Sequence, residues 1–302
     1  VAGERPSPRG KPARLFAKSR LPYPALLFLL TRRGAPHDVR QFTPQRFNTP
    51  EHIQKFQDEL SFMVDNLAAL GYLVKAEDGD HVTLHESIFK LLPFRSIAPL
   101  YGAFLGGQLS RGDDLEKLLA LESALELPAV IDRKVRIPFD LPKGPLQLEV
   151  IEPMLIAKGL MATAVEGEED EEDDPWATTD EPQRPPTFPE MLNIAFQSLL
   201  ASPERIIVQP KWAAGPAFEM NCEFFKFVKS RDLVKQEGLI LRHILRLVIL
   251  SGEFFAFTED PAYQLIAEKA TRTCHRVDPT YTDRFLAEAI EFRKITAAAA
   301  VP

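Results

Sequence analysis

The chain has 302 residues, of which 45% are hydrophobic and 26% charged, and a formal net charge of −7. That is enough for two modest domains with real cores, in the composition of an ordinary globular protein. Two cysteines exclude a disulfide framework and fit a reducing cytoplasm. Neither apolar run, 21–30 or 239–250, is long and uninterrupted enough to span a bilayer, so no membrane partner is expected.

The opening residues, VAGERPSPRGKPARLF, are polar, basic and proline-rich, unlike a secretory signal. Residues 1–14 are expected to be disordered. An ordered block follows over 15–86. Tyr23–Thr31 reads as a short helix with Pro24 in its first turn. Thr49-Pro50-Glu51 is a helix start, a threonine cap followed by proline. Ile53, Phe56, Leu60, Met63, Val64, Leu67 and Leu70 then recur at helical spacing until Gly71. The next stretch, YLVKAEDGDHVTLHE, reads as two strands around Asp78-Gly79, a hairpin signal. Helices followed by a two-stranded ribbon is the element order of a winged helix.

Residues 87–161 read as a helical and irregular connector. Small residues Gly102, Ala103, Gly106 and Gly107 point to close helix packing, and Asp113 or Asp114 starts a helix through LEKLLALESALEL. The proline-punctuated stretch VRIPFDLPKGPLQLEV is expected to be partly β-like, with a short helix from Pro153 to Met161. Residues 162–187 change character: eight acids fall within 166–174, followed by Pro175, Pro182, Pro185 and Pro186. Such a segment cannot bury a core and reads as a disordered spacer; a competitor for a basic surface is the alternative. With its charge set aside the rest of the chain is near neutral, so a locally basic face is compatible with the total. Residues 188–298 form a helical domain. The fold class expected is mainly α with a small β component, the winged-helix-like module preceding the helical domain.

Catalytic constellations are missing. There is no phosphate loop, G-x-G-x-x-G, G-x-S-x-G or H-E-x-x-H, and the D-E-x-[DH] match, Asp170-Glu171-Glu172-Asp173, falls inside the acidic run. His81 and His85 share a strand face near Asp78 and Asp80, but a metal would need a third ligand, and exposed ribbon residues are the favoured reading. Cys274-His275 has no partner spacing, and Cys222 reads as a small buried residue. No catalytic residue, metal or cofactor is assigned to this chain.

The stretch 227–255 reads as one long helix. At about 100° per residue, Arg231, Lys235, Arg242 and Arg246 fall within about 60° of one another, with Gly238 in the same sector. Most of the remaining circumference is apolar. Such a seam either pairs with the protein's own carboxylates or meets a polyanion. Glu237 lies on the apolar side without a local cation, so it is expected to be a buried structural charge with a tertiary partner. Helix 51–70 carries Lys55 against Asp58, Glu59 and Asp65, which argues against base reading in the major groove.

The segments PLYGAFLGGQLSRGDDLEKLLALESALELP, KGPLQLEVIEPMLIAKGLM and KSRDLVKQEGLILRHILRL, with the acidic insertion, resemble the C-terminal region of bacterial Ski2-like DEAD/DEAH-box helicases. The resemblance covers about residues 50–296. It implies a winged-helix-like module and a helical domain following two ATPase domains, with ATP and magnesium bound only in those domains. It also implies a role in ATP-dependent RNA or DNA helicases, with single-stranded RNA or DNA and the ATPase domains in cis as partners. The chain lacks the phosphate loop on which the family's ATPase depends, so no catalytic residue carries over. By analogy, Arg231, Lys235, Arg242 and Arg246 would contact phosphates. A protein-interaction scaffold is the competing reading, and a winged-helix transcription regulator a third.

Overall fold

The computed structural model describes residues 22–32, 50–77, 81–138, 140–162, 185–219 and 224–300. The N-terminal segment, the Asp78-Gly79 turn, the acidic insertion and Cys222 lie outside them. The described chain is mostly helical with one two-stranded sheet, as expected.

Helix α1 (Tyr23–Thr31) carries Pro24 in its first turn and buries Leu26, Leu27 and Leu30. Helix α2 (Pro50–Ala69) buries Phe56, Leu60, Val64 and Leu67 along one stripe. It ends at Gly71, whose φ of 76° lets Tyr72 N–H reach Leu67 O at 2.9 Å and Gly71 N–H reach Ala68 O at 2.9 Å. This is a left-handed C-cap of the Schellman type. Strands β1 (Leu73–Lys75) and β2 (Val82–Leu84) pair antiparallel with Leu73 opposite Leu84. A 3-10 turn, Glu86–Leu91, follows; the exposed His85 caps it through Nδ1, which accepts from Ser87 N–H at 3.2 Å. His85 is thus a capping residue, and no metal-ligand cluster exists among the described residues.

Helix α3 (Pro99–Leu109) presents Gly102 to the Phe94 ring and Gly106 to the Phe257 ring. A methyl group at either position would lie 2.6 Å from the facing ring, so the small residues do mark close packing. Helix α4 (Asp114–Ser123) starts in a capping box between Asp113 and Glu116. Pro128 leads into the one-turn helix α5 (Ala129–Asp132).

The β-like expectation for residues 129–152 fails. No strand occurs there among the described residues; residues Gln147–Ile151 form a π-type turn that runs directly into α6 (Glu152–Ala157). Pro153 sits beside the irregularity: it has no N–H for Glu149 O and its ring crowds that carbonyl, and one residue earlier Glu152 N–H takes Gln147 O, five residues back.

Helix α7 (Phe188–Gln197) opens with Glu190 accepting from Thr187 N–H at 2.8 Å and Thr187 Oγ1 at 2.7 Å. Residues 203–212 then run without helix or strand. The rest is helical: α8 (Ala214–Glu219), α9 (Phe224–Ser230), α10 (Glu237–Thr258), α11 (Pro261–Val277) and α12 (Pro279–Ala300). Asp260 caps α11 by accepting from Ala262 N–H at 2.9 Å, and its other oxygen lies 2.8 Å from Lys117 Nζ.

Two apolar clusters form the core. The larger takes Leu26, Leu60, Leu73, Leu105, Leu121, Phe196 and Phe254, so side chains from both sides of the acidic insertion share it. The smaller gathers Ile131, Val135, Phe224, Phe227, Leu233, Ile240 and Cys274. Helix α10 belongs to both, with Ile240 to Leu245 in the smaller and Leu247 to Phe254 in the larger.

Buried Glu116 joins α4 to the π-type turn. Beyond its capping bond to Asp113 N–H, it accepts from Leu146 N–H at 3.2 Å and Gln147 N–H at 2.7 Å. Gly144 packs so closely on this carboxylate that a Cβ would sit 2.6 Å from Oε1. The carboxylate cannot swing aside without orphaning those amides. Gly144→Ala is therefore expected to cost about 2 kcal/mol or more, read as a lowered denaturation midpoint, whereas Gly107→Ala, where a methyl inside α3 meets open space, raises the midpoint slightly, by about 0.5–1 kcal/mol of helix propensity.

Candidate nucleic-acid interface

Helices α9 and α10 do not form the single helix read from 227–255. After Ser230 the chain leaves the helix: Asp232 has φ of 52°, and a 3-10 turn, Val234–Gln236, precedes α10. The break is another left-handed C-cap. Leu233 N–H reaches Val228 O at 2.8 Å and Asp232 N–H reaches Lys229 O at 3.1 Å, while Leu233 is fully buried in the smaller core. Aspartate is among the few non-glycine residues that tolerate this conformation. Lys134 holds it there, donating to Asp232 O at 2.7 Å and Oδ2 at 2.8 Å. The same lysine draws the Asp232 carboxyl below its usual range.

The seam is consequently divided. Arg231 and Lys235 lie in the connection, Arg242 and Arg246 on α10. Arg231, Lys235 and Arg242 are exposed. Arg246 is half-buried and donates to Glu126 O at 2.9 Å. Burial lowers its guanidinium from the ordinary value, with Glu126 opposing and Arg242 reinforcing that shift. Gly238 is exposed and faces open space. Lys134 joins this surface through its bonds to Asp232.

Glu237 is exposed in the first turn of α10, so the expectation of a buried structural charge is corrected. Once the helix is broken at 231–236, the wheel that put Glu237 on an apolar face no longer applies. An acid in the first turn complements the positive helix end instead.

The buried charge is elsewhere, and sequence reading missed it. Glu122 of α4, Lys211 of the 203–212 run and His243 of α10 are buried together. Glu122 Oε1 accepts from Ala213 N–H at 2.7 Å and Ala214 N–H at 2.9 Å, and lies 3.3 Å from His243 Nε2. That last contact requires the proton on Nε2, leaving Nδ1 a bare acceptor without a partner among the described residues. Lys211 Nζ donates to Leu125 O and to Gln209 O, the latter at 3.1 Å. Burial lowers its pKa to about 8, with Glu122 the strongest opposing charge. Gln209 completes the join: its Oε1 accepts from Leu127 N–H at 2.6 Å and its Nε2 donates to Leu127 O at 3.1 Å. Glu122 and His243 resemble a catalytic dyad in type, but both are sealed from solvent and have no access to substrate.

No family model, curated protein or solved structure matches this chain.

Burial depresses the His243 pKa, against the pull of its hydrogen bond to Glu122. The unfolded chain therefore takes up a proton near its ordinary pKa of about 6.5 while the folded protein does not. Stability from this residue is present above that value and is lost as pH falls below it. Denaturant titrations at about pH 7.5 and about pH 5.5 should show a larger loss for the native chain than for His243→Gln, which keeps a donor but does not titrate. Equal losses would contradict a neutral buried imidazole.

Proposed function

We propose that this chain is a non-catalytic, nucleic-acid-contacting region of an ATP-dependent helicase of the Ski2-like type, with single-stranded RNA or DNA lying against the basic surface around Asp232. The ATPase domains, with their ATP and magnesium, would be further partners in cis. One observation carries the reading: Arg231 and Arg242 extend into solvent with no side-chain hydrogen bond or ion pair among the described residues. The one acid within residues 224–236, Asp232, is already engaged by Lys134. Among the described residues, Arg231 and Arg242 are therefore left without an ion-pair partner. Exposed ion pairs contribute about 0–1 kcal/mol, so stability gives no reason to concentrate like charge here. Phosphates would, through release of their counterions.

The sequence resemblance supplies the helicase context, and the three segments that carry it form α3–α4, the π-type turn with α6, and the α9–α10 connection. The scaffold reading draws on a different surface: Phe62 and Phe89 are each 52% exposed, as residues awaiting a protein partner would be. The two surfaces are compatible with one protein that docks on ATPase domains and touches a strand.

Fluorescence anisotropy with a single-stranded oligonucleotide tests the proposal. Reversing Arg231, Lys235 and Arg242 to glutamate should weaken binding at least about tenfold at about 50 mM salt and flatten its dependence on salt concentration. The melting temperature should stay within about 2 °C, since the three side chains are exposed. Absence of binding by the native chain at low salt, or unchanged affinity in the triple variant, would contradict it.

A further inference from the structure

The basic surface is not purely basic. Phe225 on α9 is 60% exposed, although the next ring, Phe224, is almost wholly buried. The two rings meet at 5.8 Å between centroids and 83° between planes, an edge-to-face contact. The buried ring thus fixes the tilt of the exposed one. One helical turn on from Phe225, on the same face, stands the exposed Lys229, and beyond it comes Arg231 at the end of the helix. Across the Asp232 turn, Val234 is 56% exposed and Leu239 45% exposed, beside Lys235 and Arg242.

A large apolar ring held in water beside cations is unfavourable unless something covers it. A ligand that covers it must bring negative charge and a flat apolar face at short spacing. A nucleic-acid strand with unstacked bases has both, because every base has a π-face and is followed by a phosphate. A duplex keeps its base faces stacked internally and offers phosphates and groove edges, but no open π-face along its length.

Resting on the nucleic-acid reading of this same face, we propose that Phe225 is a base-stacking platform that selects single strands, with Lys229 and Arg231 taking the adjoining phosphates. The mode is independent of base identity. It reads the presence of an unstacked base, while the cations read the backbone.

The test compares two strands of equal length, oligothymidylate and a matched sugar-phosphate strand lacking bases, against the native chain and its Phe225→Ala, Phe225→Leu and Phe225→Trp variants. Alanine and leucine should each weaken oligothymidylate binding about tenfold and change binding of the base-free strand by less than about twofold. Tryptophan should bind oligothymidylate as well as the native chain or better. Melting curves that stay unchanged show that the exposed substitution leaves the fold intact, and the tryptophan variant keeps the test decisive if alanine does not. Equal losses on both strands, or full retention by leucine, would overturn the stacking role while leaving the nucleic-acid reading standing. Failure of the native chain to bind either strand at low salt would overturn that reading and this inference with it.

Discussion

The position of the second core depends on one buried carboxylate. Glu122 accepts two adjacent backbone amides, Ala213 and Ala214, and faces the ring of His243. Those contacts fasten the element-free run before α8 to the side of α4 and to α10 simultaneously. A charge-assisted bond of this kind contributes about 1.5–3 kcal/mol where its partners are buried, and removing one member of a buried charged set costs about 3–5 kcal/mol. Lys211 lies beside it and donates to Leu125 O, just past the end of α4, and to Gln209 O in its own run. The backbone adds two bonds of its own in this run, Gln209 N–H to Ser123 O at 2.9 Å and Trp212 N–H to Val135 O at 2.7 Å.

The same device recurs. Glu116 collects the amides that start the π-type turn. Glu253 of α10 accepts Ser96 N–H at 3.1 Å and Ser96 Oγ at 2.8 Å in the loop before α3. In each case a helix buries a carboxylate and a passing loop supplies the donors. This answers the need of irregular buried backbone, whose N–H groups have no ladder to join. The exposed cations around Asp232 contrast with it. They contribute little to the fold, yet they stand on a turn whose base, Leu233 with Phe227 and Ile240, is fully packed. Residues of a binding surface are best placed in this way, on a rigid support that does not depend on them.

Much of this was legible in the chain itself. Pro24, the Pro50 start, Gly71 and the apolar spacing of 53–70 predict α1 and α2, because each signal is local and stereochemical. The hairpin register follows from two short runs of alternating residues. The break at Asp232 was missed because a left-handed cap without glycine has no strong marker, although the Asp-Leu pair placing a buried Leu233 after it is the signal that could have found it. The β-like reading of 129–152 failed because Pro145 opens a helical turn there instead of bordering a strand. Glu122 was visible in principle: within LEKLLALESALEL it stands one turn from both Leu118 and Leu125, on the buried side. Its partners were not, since Lys211 and His243 come from segments 89 and 121 residues away, and no periodicity links them. The cations of the seam were found, but through a helix that does not exist as one piece.

Amide hydrogen exchange at Ala213 and Ala214 tests this account most directly. Ala213 directly precedes α8 and Ala214 is its first residue, so neither N–H has an intrahelical partner and exchange would ordinarily be fast. If Glu122 holds them, they exchange in the native chain only with the core of α10, and in Glu122→Ala they exchange at least about a hundredfold faster. Rapid exchange of these two amides in the native chain, at the rate of exposed loop residues, would contradict it.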